Sequence, residues 1–311
     1  MRLFRDLREL PAELSGGVVA IGNFDGVHRG HQAVIAAARA VAAAAGCVCG
    51  VLTFEPHPRN HFRPGDAPFR LTPLAEKVKV LEKLGVDFVS AIPFDGALAD
   101  TPAERFVHGV LLDALGARHI IIGYDFVFGK GRKGDAALLR AKSQQNGFGL
   151  TVVEPAATGS GVVYSASAVR DALREGRVAD ATDLLGRPWM ISGPVQKGES
   201  RGAALGFPTA NLDLGEHLVP ALGVYAVRAC LEGETESRGA VANLGRRPTF
   251  GGDGIVLEVH ILDFSGDLYG RTLEAELIAY LRPETKFDGL ESLKAQIAKD
   301  CEDAQEVLAA R

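Results

Sequence analysis

Over the first 186 residues short apolar runs alternate with segments of helical period, and after Gly186 that alternation stops. This change of texture constrains the fold more than any other feature of the chain. The runs "GVVAIGN", "CVCGVLTF", "VDFVSAIPF", "HIIIGYDFVFG" and "LTVVEP" have the length and content of buried strands. Between them, residues 30–45, "LTPLAEKVKVLEKLG", "TPAERFVHGVLLDALG" and "DAALLRAKSQQNG" carry helical spacing, and the last three end on glycine. Strand–helix alternation of this kind builds a parallel sheet with helices on both faces. "SAVRDALREG" and "VADATDLLG" close the region as two short helices.

Beyond Gly186, "MISGPVQKG", "GVYAVRACL", "ESRGAVANLG", "VLEVHILDF" and "LEAELIAYLRP" are strand-like runs separated by glycine, proline and acidic turns. Their spacing predicts an antiparallel barrel or sandwich. A final helix, "LESLKAQIAKDCEDAQEVLAA", follows. At 311 residues the chain is long enough for two domains, each with its own core. The expected division is residues 1–186 and 187–311.

Neither part carries the basic excess of a sequence-independent nucleic-acid binder, since the formal charge is +1 for residues 1–186 and −6 for the rest. Cys47, Cys49, Cys230 and Cys301 form no CxxC pair and no disulfide-scaffold spacing, which fits a reduced, cytoplasmic setting. "MRLFRDLREL" is charged throughout and lacks the apolar centre of a signal peptide. The alanine-rich run before Gly46 has Arg39 in its middle, so a helix followed by a strand is expected there instead of a membrane span.

"GNFDGVHRGH" (residues 22–31) sets His28 and His31 three residues apart, at the start of a helix that follows a strand and a glycine-rich turn. Backbone N–H groups and the dipole favour an anion at such a place. Gly22, Gly26 and Gly30 allow a ligand close to the backbone, and two imidazoles can donate to phosphate oxygens as charge builds. A metal site would need further ligands, such as His57 and His61, but Pro56 and Pro58 make a two-ligand helical face unfavourable there. Packing histidines are the third reading. "GKGRKG" (129–134) matches GxGxxG, with Glu154 twenty residues beyond, as in a dinucleotide-binding turn. "YDFVF" intervenes between strand and glycines, which suits a substrate loop better.

"GNFDGVHRGH" resembles the HxGH motif of the nucleotidyltransferase superfamily, in the extended form of bacterial FAD synthetases. "FEPHPR" (54–59), "IIIGYDFVFGKGRKGD" (120–135) and "SASAVRDALREG" (165–176) agree with the same family. The resemblance implies nucleotide binding by Gly22, Asn23, Phe24, Gly30, Ser165, Ser167 and Arg170, with His28 and His31 catalytic. It implies flavin contacts from Phe54, Pro56, His57, Pro58, Asp125, Phe126 and Phe128. Ala166 departs from the usual motif, where a second serine is common; Arg170 reads as a triphosphate clamp or as a solvated helix charge.

The later half resembles riboflavin kinase in "GESRGAALGFPTANL", "VANLGRRPTFGG", "LEVHILDF", "DLYG" and "RPETKF". Taken together the chain resembles the bifunctional riboflavin kinase/FMN adenylyltransferases. No GxxxxGK[ST] occurs, so a P-loop is excluded. Gly198, Gly202 and Gly206, four apart, suit a loop over phosphates. Thr209 and Asn211 fall on one side of an extended segment, although "PTAN" alone is more often a turn. The resemblance makes them nucleotide and Mg²⁺ ligands. In "VLEVHILDF", alternation puts Glu258 and His260 opposite Leu257, Val259 and Ile261, and a carboxylate pointing into a barrel mouth suits a general base for the ribityl hydroxyl. Arg282 and Phe287 are flavin contacts on the same resemblance.

The expected activity is phosphorylation of riboflavin by ATP, then adenylylation of FMN by a second ATP, with Mg²⁺ and no tightly bound zinc. The expected ligands are riboflavin, FMN, FAD and ATP, with no nucleic acid and no membrane; a homo-oligomer is left open. The alternatives are a monofunctional adenylyltransferase with a flavin-binding second domain, and a flavin-sensing regulator. Thr209, Asn211 and Glu258 together argue against both, since binding alone needs no aligned base.

Overall fold

A computed structural model describes residues 1–159, 161–197, 202, 205–249 and 252–310. The chain forms two compact units. One comprises Met1–Ala67 and Thr72–Ala166, and the other Pro68–Leu71 and the chain from Ser167 onward.

The first unit is built on strands β1 (Arg2–Phe4), β2 (Val18–Ile21), β3 (Cys49–Phe54), β4 (Phe88–Ile92), β5 (His119–Gly123) and β6 (Gly149–Val153). They pair in parallel in the order β1-β4-β3-β2-β5-β6. Its helices are α1 (Arg29–Ala45), α2 (Pro58–Phe62), α3 (Leu74–Lys83), α4 (Gly96–Ala99), α5 (Ala103–Arg105, continuing in wide π-type turns over Phe106–Ala114) and α6 (Ala136–Asn146). Strand residues alternate between two cores, as the period of two requires. Val18, Ala20, Val51, Val89 and Ile121 pack with Val34, Ile35 and Ala38 of α1 and Leu81 of α3. Val19, Ile21, Leu52, Phe88, Ile120 and Ile122 pack with Phe106, Val107 and Leu111 on the opposite face. The continuous apolar runs of the sequence reflect this burial on both faces.

The GxGxxG match has a packing explanation. Phe128 and Gly134 exchange backbone hydrogen bonds at 3.0 and 2.9 Å, and a Cβ at Gly134 would lie 2.6 Å from the Phe128 ring. The glycine makes room for a buried aromatic side chain.

The second unit opens with α7 (Ala166–Arg174) and α8 (Val178–Leu185). Six antiparallel strands follow: β7 (Trp189–Pro194), β8 (Ala210–Asp213), β9 (Gly223–Leu231), β10 (Arg238–Thr249), β11 (Gly252–Ile261) and β12 (Thr272–Arg282), in the order β7-β12-β9-β10-β11-β8. The end strands approach where Gln196 N–H donates to Asn211 O at 2.9 Å, which nearly closes a barrel. Tyr225, Val227, Ala242, Leu244, Leu257, Val259, Leu273 and Ala275 fill the interior and are buried. The last helix, α9 (Leu290–Ala309), covers the outer face at Val224, Ala226 and Val241 through Ala304. Residues Pro68–Leu71 join this unit through Trp189 Nε1–H, which donates to Leu71 O at 2.8 Å.

Candidate active sites

In the first unit the strand order reverses direction between β2 and β5, and ligands of open α/β sheets bind outside the carboxyl ends of strands at such a point. The Gly22–Val27 turn leaves β2 there and the loop beginning at Gly123 leaves β5. The turn is under strain. Phe24 has φ 48° and Val27 φ 42°, left-handed values that cost about 1–3 kcal/mol each in residues with a Cβ. Both side chains are buried, so packing holds the backbone where local preference would not.

His28 then caps α1. Its Nδ1 accepts the His31 N–H at 3.4 Å, which leaves the proton of a neutral ring on Nε2 as a donor. The two imidazoles stack with centroids 3.7 Å apart, and Phe24 lies 5.1 Å from His31. Gly30 is closely packed: a Cβ there would lie 3.0 Å from Tyr164 O and 3.1 Å from His28 Nδ1, so those neighbours would have to give by a few tenths of an ångström. The sequence-derived group Gly22, Phe24, His28, Gly30 and His31 is therefore one compact feature, with exposed Asn23 at its edge.

The flavin candidates divide. Phe54 and Phe128 are core residues in an aromatic chain through Phe106, with centroid separations of 6.3 and 5.3 Å. Phe126 stacks on Phe128 at 5.5 Å and is half-buried, while Asp125 and Pro56 are exposed. His57 caps α2, accepting Arg59 N–H at 3.1 Å, with Pro58 opening that helix. Tyr124, inside the motif at residues 120–135, and Phe62, three residues after the one at 54–59, are large aromatic residues that remain exposed.

Ser165 belongs to the first unit, which ends at Ala166, and Ser167 and Arg170 belong to the second. Ser167 is exposed. Arg170 is half-buried: its Nε donates to Phe69 O at 2.9 Å and its guanidinium lies 5.5 Å over the Phe69 ring. It is thus no simple solvated helix charge.

In the second unit a cavity of about 420 Å³ is lined by Gly202, Thr209, Glu258, Arg282 and Phe287 together. Its position corrects one expectation. Glu258 does not point into the barrel; Leu257 and Val259 do, and Glu258 lies on the outer face that α9 covers, with Leu293, Ile297 and Asp300 of α9 completing the wall. The alternation was read correctly, but which face is interior depends on strand pairing. Register places Glu258 opposite Asn211 of β8 and Asn243 of β10. Directly opposed residues share a face about 5 Å apart, so a carboxylate is flanked by two amides. Asn243 was missed because "VANLG" reveals it only through cross-strand register.

The loop before β8 is set by contacts to glycine and histidine. A Cβ at Gly202 would lie 2.4 Å from Phe207 O, and Gly206 takes φ 90°. His260 Nδ1 lies 2.8 Å from Pro208 O and its ring 5.5 Å from Phe207. Gly198 lies outside the described residues. At the other wall Arg282 forms a two-point ion pair with Asp300, at 2.7 and 2.6 Å, and its Nη1 donates to Thr285 Oγ1 at 2.9 Å. Asp300 raises the guanidinium pKa still further. Phe287 sits 5.8 Å from the guanidinium. Arg282 thereby ties α9 to the loop after β12.

A family model for FAD synthetase matches residues 10–167, and one for riboflavin kinase matches residues 185–308. The bifunctional riboflavin kinase/FMN adenylyltransferase of Escherichia coli K12 is 42% identical over 301 residues, covering 96% of each chain. The chain belongs to the bifunctional riboflavin kinase/FMN adenylyltransferase family. A family relative from Pseudomonas fluorescens is 43% identical over 99% of this chain and 98% of its own. A crystal structure from Streptococcus pneumoniae, described as a macrolide-efflux protein, matches 97% of this chain and 98% of its own at TM-score 0.86 and 30% identity. That description belongs to the other protein; among the described residues here no helix is long and apolar enough to cross a membrane. As in the family, the enzyme phosphorylates riboflavin to FMN with ATP and adenylylates FMN with a second ATP, giving FAD and pyrophosphate. The monofunctional and regulatory alternatives are set aside by the presence of both domains.

Proposed function

We propose that Glu258 is the general base of the kinase reaction, and the observation that carries this is its position between Asn211 and Asn243 in the wall of the cavity. The carboxylate takes the proton of riboflavin's terminal ribityl hydroxyl as its oxygen attacks the γ-phosphorus of ATP, and ADP leaves. Thr209 lines the same cavity and buried Asn211 lies opposite Glu258 across the strand pair, two hard oxygen donors that fit a divalent cation accompanying ATP. We assign them as the Mg²⁺ ligands. When bound, the ion neutralises charge on the phosphate oxygens. Phe287, Arg282 and the apolar side chains of α9 form the flavin side of the cavity.

In the second reaction an FMN phosphate oxygen attacks the α-phosphorus of ATP and pyrophosphate leaves. The nucleophile is already an anion, so no base is required. His28, through Nε2–H, and His31 stabilise charge on the α-phosphate at the start of α1. Gly22, Asn23, Phe24 and Gly30 form the adenylyl-side backbone, with Ser165 assigned to the phosphates. Pro56, Asp125 and Phe126 bind FMN, and Phe54, His57, Pro58 and Phe128 shape that pocket from behind. Adenylyl transfer belongs to residues 1–186, phosphorylation to 187–311. The reduced thiols of Cys47, Cys49, Cys230 and Cys301 support a cytoplasmic setting.

The testing experiment assays His28→Ala and His31→Ala. FAD formation from FMN should fall about 10²-fold or more, with riboflavin phosphorylation unchanged. Equal losses in both reactions would point to a structural role, and stoichiometric zinc in the purified enzyme would revive a metal site.

A further inference from the structure

Lys77 lies in the first turns of α3 and is fully buried. Lysine is rarely buried to this degree, because its terminal amine then has to be satisfied inside the protein. Its Nζ donates to the carbonyl oxygen of Asn23 at 2.8 Å and sits 3.4 Å from Thr53 Oγ1. Thr53, equally inaccessible, donates its hydroxyl to the same Asn23 oxygen at 3.1 Å. Two donors from two elements thus converge on one backbone carbonyl, the one that opens the left-handed turn at Phe24.

The segment leading into α3 grips the same turn twice more. Gly26 N–H donates to Thr72 Oγ1 at 2.5 Å, and Thr72 N–H donates to Asp25 Oδ1 at 3.1 Å. A planar trans peptide has its C=O and N–H on opposite sides. Drawing the Asn23 carbonyl toward Lys77 therefore turns the Phe24 N–H the other way. A flip of that peptide would relieve the φ of 48° at Phe24, and the Lys77 and Thr53 bonds oppose it.

We propose that Lys77 is a positioning residue for adenylyl transfer. By holding the Asn23 carbonyl it maintains the strained turn, and through the turn it fixes where α1 begins and where His28 and His31 stand. The inference rests on the reading of those histidines as α-phosphate donors.

The test uses the full chain, at a temperature where thermal melting shows each variant folded. Lys77→Met removes the donor at similar volume. Its kcat for FAD formation from FMN should fall about 10- to 100-fold, with KM for FMN little changed and riboflavin phosphorylation normal. Thr53→Val should give a smaller fall of the same kind. The two losses should combine non-additively, because both bonds act on one carbonyl. Strictly multiplicative losses, a rise in KM without loss of kcat, or full activity in Lys77→Met would each overturn the proposal. If Lys77→Met does not fold, Thr53→Val decides: a lowered kcat at constant KM supports it and an unchanged kcat overturns it. His28→Ala is assayed alongside. A collapsed rate there with a normal rate in Lys77→Met overturns the positioning role alone, and normal rates in both overturn the histidine assignment with it.

Discussion

At the scale of single residues, the sharpest expectation concerns Glu258. Glu258→Gln keeps the shape and hydrogen-bonding reach of the side chain between Asn211 and Asn243 but cannot take a proton. Its kcat for FMN formation should fall about 10²- to 10⁴-fold, with KM for riboflavin held and conversion of added FMN to FAD normal. A raised KM at constant kcat would mark a binding residue instead. A second expectation follows from burial. Cys49 and Cys301 have thiol pKa values pushed up to about 11, chiefly by burial and then by neighbouring carboxylates, Asp87 for the first and Asp300 for the second. At pH 8 only roughly a thousandth of each is thiolate, the reactive form. Iodoacetamide should therefore leave both unmodified in the native enzyme while labelling the unfolded chain fully. Of the residues proposed for the sites, His28, His31, Thr209, Asn211 and Glu258 could be named from the sequence because each sits in a contiguous motif that carries the family resemblance. Asn243, Asp300 and Lys77 could not. Their roles arise from cross-strand register, an ion pair spanning 18 residues, and a contact made 54 residues away.

Among the elements, α9 makes the most specific energetic claim. Asp300 is buried, and its carboxylate receives Arg282 at two points and Gln296 Nε2 at 2.9 Å. Removing one partner of such a pair strands the other. Asp300→Ala should lower stability by about 3 kcal/mol, measured by urea unfolding of the second unit, and should raise KM for riboflavin because the loop carrying Thr285 and Phe287 loses its anchor. No change in either would mean that α9 is held by its apolar contacts alone. Most elements were legible as period: alternating strands in the barrel, double-faced apolar runs in the sheet, and glycine stops such as Gly46 and Gly147, both left-handed. Two strands were not. β1 is three residues at a sheet edge, with charge on both sides and only Phe4 buried, so it lacks any run to read. β8 begins inside "PTAN", where a turn and a strand have the same signature until Glu258 and Leu257 are seen to pair with it.

For the whole molecule, the two-unit organisation makes separable predictions about folding and chemistry. Residues 187–311 alone should phosphorylate riboflavin, since every described wall of the kinase cavity lies within them. They should be less stable than residues 167–311, because α8 packs on β7 and β12 and the Ala221 N–H donates to Leu173 O of α7 at 3.0 Å. Thermal melting of the two fragments compares them directly. The division expected at Gly186 marked where the pattern of the sequence changes. The compact units divide in sequence between residues 166 and 167, with α8 packed on β7 and β12, a choice of partner that helical period does not encode. The central claim is that one chain carries two chemically independent sites acting in series. Its most direct test is to give wild type, Glu258→Gln and His28→Ala the same mixture of riboflavin, ATP and Mg²⁺, and to resolve the flavins by chromatography. Wild type should form FAD through transient FMN, His28→Ala should stop at FMN, and Glu258→Gln should leave riboflavin untouched yet make FAD once FMN is added. Failure of Glu258→Gln to use added FMN, or steady FAD formation by His28→Ala, would contradict the account.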